Sequence, residues 1–144
     1  DYAQPLWEVS GETTFAALLR ALADFLPDGS ILYFEGGSPD RELLAFFNAH
    51  AIPEETHVAV GTVWPRPVYY HVPATPQNLS DLSVLAESHA EPELAIHFHA
   101  YREGKVLLEW HDAFSQEMLL YGSFPEERVK AFAEALKMTF ELNT

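Results

Sequence analysis

The sequence predicts an α+β fold, a two-layer sandwich in which a mainly antiparallel sheet is packed by about four helices. Three observations predict it. Segments of helical and strand periodicity follow one another in the order βαβα, ββ, α, βββ, α. Three late strands are separated by short turns, as in an antiparallel meander. Each helical segment carries one apolar stripe, which one covered sheet would bury. The chain has 144 residues, of which 48% are hydrophobic and 21% charged. That length and balance fit a single domain over residues 1–144.

The elements are read in order. Leu6 to Val9 is a short first strand. From Thr13 the pattern turns helical, with Phe15, Leu18, Leu19, Leu22, Phe25 and Leu26 on one stripe. Pro27-Asp28-Gly29 ends that helix with turn chemistry. Ile31 to Phe34 is a continuous apolar run and reads as a buried strand, broken by Gly36-Gly37. Ser38 fits a helix N-cap and Pro39 the first helical position. Leu43, Leu44, Phe46 and Phe47 form the second helix's buried face, and Pro53 stops it. His57–Trp64 and Val68–Val72 read as strands on either side of Pro65-Arg66-Pro67.

Pro73 to Gln77 reads as a loop and Asn78 as the cap of a third helix with Leu79, Leu82, Leu85 and Ala86 inside. Three strands follow near Glu93–Tyr101, Lys105–His111 and Glu117–Tyr121. Ser123-Phe124-Pro125-Glu126 has capping-box spacing. Val129, Phe132, Ala133, Leu136 and Phe140 then recur at helical spacing.

The most informative chemistry lies in the hairpin between Ile96 and His111. A three-residue Arg102-Glu103-Gly104 loop would put Gly104 in a left-handed position. It would pair Tyr101 with Lys105, Phe98 with Leu108 and His97 with Glu109. One face would then be entirely apolar, which fixes the register. The other face would hold His97, His99, Glu109 and His111. Imidazoles and a carboxylate converging on one strand face are ligands suited to zinc or another divalent metal. An open position on such an ion could activate water. His97 beside Glu109 could also serve as an oriented base. The competing structural reading is a solvated polar strand face with a His–Glu pair.

A second candidate is Trp64-Pro65-Arg66-Pro67-Val68-Tyr69-Tyr70-His71. Trp64, Arg66, Tyr69 and Tyr70 are residue types enriched in binding hot spots. Prolines would restrain their loop and reduce the entropy lost on binding. The structural alternative packs these aromatics beneath the protein's own helices. Glu35-Gly36-Gly37-Ser38 joins a strand to a helix but lacks the Lys-Ser/Thr of a phosphate loop, and its acidic neighbours would repel phosphate. His89-Ala90-Glu91 lacks the cysteines that complete a deaminase motif.

Composition bounds the partners. Eight Lys and Arg stand against 22 Asp and Glu, a formal net charge of −14. Such a field disfavours nucleic acid and anionic membrane surfaces. It favours a basic protein partner, whose approach it would accelerate. No cysteine is present, so disulfides, thiolate catalysis and Cys-ligated zinc are excluded. The leading functional expectation is a small acidic protein-binding module, such as an immunity- or inhibitor-type protein masking a basic partner, with no cofactor. The alternative is a metal-binding domain or metal-dependent hydrolase using His97, His99, Glu109 and His111.

Overall fold

The computed structural model describes residues 6–52, 69–112, 116–121 and 124–143. They form an α+β fold with the order β1 (Leu6–Ser10), α1 (Phe15–Phe25), β2 (Ile31–Glu35), α2 (Arg41–His50), β3 (Tyr69–Pro73), α3 (Pro76–Ala86), α4 (Glu91–Leu94), β4 (His97–Arg102), β5 (Lys105–Trp110), β6 (Met118–Leu120), α5 (Glu126–Leu136) and β7 (Thr139–Asn143). The strands make one sheet in the order β3-β2-β4-β5-β6-β1-β7. Every pairing is antiparallel. The expected strand at His57–Trp64 lies outside the described residues.

The helices lie against one face of the sheet. Leu18, Leu19, Leu22, Phe47, Leu82 and Val129 share a buried cluster with the strand residues Val9, Leu32, Phe34, Phe98, Leu108 and Leu120. Strand side chains alternate between faces, so the intervening residues Tyr33, Glu35, His97, His99 and Glu109 stand on the opposite face. Phe15 packs edge-on to Phe98, centroids 5.3 Å apart, and joins α1 to the hairpin strand that carries the histidines.

Several local expectations are corrected. Asp40, not Ser38, caps α2: its carboxylate accepts from the Leu43 N–H at 3.1 Å. A carboxylate is the stronger acceptor for a helix's first free N–H groups. Leu44 lies off the buried face of α2 and is exposed. Thr75, not Asn78, caps α3, with Pro76 at the first helical position and the Thr75 hydroxyl accepting from the Asn78 N–H. Asn78 instead donates its side-chain amide to the Pro73 carbonyl at 3.0 Å.

The strand expected from Glu93 begins only at His97. Before it, Glu91–Leu94 makes one helical turn, so there are five helices among the described residues. The proposed Ser123 cap lies outside the described residues, and Pro125 occupies the N-cap position of α5. The helical stripe does not extend to Phe140. Lys137 adopts a left-handed conformation (φ 58°), the Met138 N–H bonds to the Ala133 carbonyl, and the chain leaves as β7.

Candidate metal centre

The hairpin register differs from the one expected, and the difference assembles the site. The loop between β4 and β5 has two residues, Glu103 and Gly104, both at positive φ (51° and 77°). Such paired positive angles match the twist of the flanking strands. Phe98 pairs with Trp110, His99 with Glu109 and Ala100 with Leu108. An irregularity at Ala100/Tyr101 then shifts the pairing, so that Tyr101 meets Val106 and Leu107 is the additional residue. With this bulge Phe98, Ala100, Leu108 and Trp110 keep the apolar face without a three-residue loop, while Val106 pairs with Tyr101 on the other face. The expected pairs Phe98–Leu108 and His97–Glu109 are therefore displaced by two residues.

His99, not His97, is the direct partner of Glu109. Its Nε2 is 3.6 Å from Glu109 Oε2. His111 Nε2 is 3.8 Å from the same oxygen. One donor atom from each of His99, Glu109 and His111 lies within 4.8 Å of the others. His97 stands behind this trio: its Nδ1 is 2.9 Å from His111 Nδ1, a hydrogen bond that one ring donates to the other. All four residues picked from the sequence thus converge, three as a potential ligand set and His97 as a support for His111.

Tyr121 was not anticipated. Its hydroxyl donates to Glu109 Oε1 at 2.7 Å, leaving Oε2 toward the two imidazoles. The signal was present: the strand reading of Glu117–Tyr121 beside β5 puts Leu119 and Tyr121 on one face. What hid it was the pairing. β6 joins β5 with Leu119 opposite Glu109, and the Tyr121 N–H bonds to the Leu107 carbonyl, fixing the phenol within reach. Glu35 was also missed. It pairs with His97 across β2 and β4, and Tyr33 donates to its Oε1 at 2.6 Å.

Burial sets the electrostatics. Glu109 is 7% exposed. Both ring nitrogens of His99 are buried and lack a hydrogen-bond partner among the described residues. Burial, the largest influence, holds the His99 pKa below the usual imidazole value, against the opposing pull of the Glu109 charge. At neutral pH His99 is therefore a neutral ring with a lone pair beside a buried carboxylate.

Of the four residues proposed for partner binding, two are described, Tyr69 and Tyr70. Trp64 and Arg66 lie outside the described residues. Tyr69 and Tyr70 are successive strand residues on opposite faces. The Tyr70 ring stacks on Phe47 at 4.4 Å and 4°, beneath α2. Tyr69 lies on the other face, 6.1 Å from the Tyr33 ring. No described helix is long and apolar enough to cross a membrane. Comparison with known proteins returns no matching family, no similar curated protein and no similar solved structure.

Proposed function

We propose that the protein binds a divalent metal ion through His99, Glu109 and His111, and that the ion keeps a coordination position open for water or substrate. The convergence of three donor atoms within 4.8 Å is the observation that carries this reading. A tetrahedral ion with bonds of about 2.0–2.1 Å spaces its ligands roughly 3.3 Å apart. The contacts to Glu109 Oε2, at 3.6 and 3.8 Å, need only small rotamer adjustments to reach that spacing.

The surrounding bonds fit the same reading. Ligating histidines and carboxylates are commonly held through their second polar atom. Tyr121 holds Glu109 Oε1, and His97 holds His111 Nδ1. If His111 ligates through Nε2, its Nδ1–H donates to His97, which fixes both tautomers. The donor set of two imidazoles and one carboxylate suits zinc, iron(II) or nickel better than calcium or magnesium, which prefer oxygen. An ion with an open position lowers the pKa of bound water, so metal-assisted hydrolysis is the reaction class this donor set supports.

Calorimetric titration of the metal-stripped protein with zinc and nickel tests the reading. We expect one site per chain, lost in His99→Ala and weakened about 10- to 100-fold in Tyr121→Phe. Flat traces for wild type would overturn it. A second reading, a module that masks a basic protein, is favoured by the net charge of −14. It would show as association that weakens with salt.

A further inference from the structure

We infer that Asp40, Glu42 and His89 form a second, more open site for a divalent cation such as manganese(II), tying the start of α2 to the segment after α3. None of the three residues lies on a strand, so the inference stands apart from the sheet centre.

Two elements bring the donors together. Asp40 caps α2, and its Oδ1 accepts from the Leu43 N–H. Its Oδ2 is 2.8 Å from His89 Nε2. Glu42, in the first turn of the same helix, brings Oε1 to 3.7 Å from that nitrogen. One donor atom from each of the three lies within 4.8 Å of the others. The two contacts to the ring bracket the roughly 3.3 Å between neighbouring ligands on a tetrahedral ion. His89 follows α3, and its Nδ1 donates to the Leu85 carbonyl at 2.7 Å. A carbonyl only accepts, so Nδ1 carries a proton and Nε2 is the nitrogen left for a ligand. Ligating histidines are commonly held through their other nitrogen in this way.

A proton on Nε2 serves one oxygen, and Asp40 takes it. Glu42 Oε1, at 3.7 Å, is left beyond a hydrogen bond. A second observation points to a larger cation. Glu93 on α4 has a buried Oε2 with no hydrogen-bond partner among the described residues, and its charge acts on the His89 ring. A buried acceptor without a donor is costly. Three carboxylates therefore bear on one ring. No Lys or Arg among the described residues lies within ion-pair distance of them; the ion pairs of Asp40 and Glu42 are both to His89. A divalent ion would join Asp40, Glu42 and His89 at once, and its second charge would offset Glu93. Carboxylates suit manganese(II), and the imidazole disfavours magnesium and calcium. Asp40 and Glu42 are exposed, so the ion would keep water ligands and bind less tightly than at the buried sheet centre.

The experiment titrates manganese(II) into metal-stripped protein and follows the electron paramagnetic resonance signal of the free ion. Wild type, Asp40→Asn, Glu42→Gln and His99→Ala are compared. Asn still caps a helix and Glu42 is exposed, so both changes spare the fold. We expect uptake to persist in His99→Ala. Affinity should fall in Asp40→Asn and Glu42→Gln by at least the roughly 10-fold that losing a ligand's support costs. Uptake that vanishes in His99→Ala but survives Glu42→Gln would place the ion at the sheet centre and overturn the inference. Equal affinity in wild type, Asp40→Asn and Glu42→Gln would overturn it too, as would no uptake by wild type. The two metal readings fail separately, because one depends on Glu42 and the other on His99.

Discussion

Two histidines show how position, not residue type, sets chemistry. His99 is buried between strands, and burial depresses its pKa. His89 is half-buried near the surface, its side chain 4% exposed, and its pKa is raised. The leading cause is the bond its ring donates to the Leu85 carbonyl at 2.7 Å, with the Asp40 carboxylate, 2.8 Å from Nε2, adding to it. Asp40 is in turn held below its usual value, first by the Leu43 N–H and then by His89. A raised histidine stabilises the fold fully below its unfolded pKa near 6.5, and that contribution is lost as pH climbs through the folded value. The lowered Asp40 contributes above its unfolded value and loses that as pH falls through the folded one. The clip between α3 and the cap of α2 is therefore strongest between these limits. His89→Gln should cost more stability at about pH 5.5 than at about pH 9. Urea unfolding at the two pH values measures it, and an equal loss at both would mean the ring acts through packing alone.

At the scale of elements, legibility followed the strength of local signals. The stripe Phe15, Leu18, Leu19, Leu22, Phe25 placed α1 closely because those positions are all buried. The end of α1 before Pro27-Asp28-Gly29 was equally clear, whereas Pro39 and Pro76 did not fix where α2 and α3 begin. The end of α5 was not clear, because Lys137 takes the left-handed conformation normally signalled by glycine. The hairpin was legible in which residues share a face but not in register. A bulge leaves the alternation of apolar residues almost unchanged while moving Glu109 from His97 to His99. Glu35 depended on the pairing of β2 with β4, strands distant in sequence, and Tyr121 on the register of β6 against β5, which no local pattern encodes.

The entry to β4 gives a test at this scale. The Ile96 N–H bonds to the Glu35 carbonyl and the Ser38 N–H to the Pro92 carbonyl, so the segment after β2 lies against α4. A Cβ on Gly37 would collide with the Leu94 carbonyl oxygen, a backbone atom that cannot simply rotate away. Gly37→Ala should therefore destabilise by about 1–3 kcal/mol, as overpacking does. Denaturant unfolding would show a lower midpoint with an unchanged slope. An unchanged midpoint would mean that the α4 turn yields freely and does not set where β4 begins.

For the whole molecule, the excess of acid was plain from composition, but its distribution needed the sheet. One face of the sheet is spent on the helices. The carboxylates Glu8, Glu35, Glu109 and Glu141 therefore share the other face with the histidines. Two consequences of opposite sign follow when salt is added to the metal-free protein. Self-repulsion among like charges opposes the compact state. Raising ionic strength from about 0.01 to 0.15 M shortens the Debye length from roughly 30 to 8 Å, so the unfolding temperature should rise by a few degrees. The same screening weakens the field that draws a cation to the centre, so zinc affinity should fall over that range. Scanning calorimetry and zinc titration on one preparation read both effects. Opposed trends mean that the charge acts as a diffuse field focused on the metal face. A flat unfolding temperature with salt-sensitive zinc affinity would instead place the repulsion at the centre itself, among Glu109, Glu35 and Glu8.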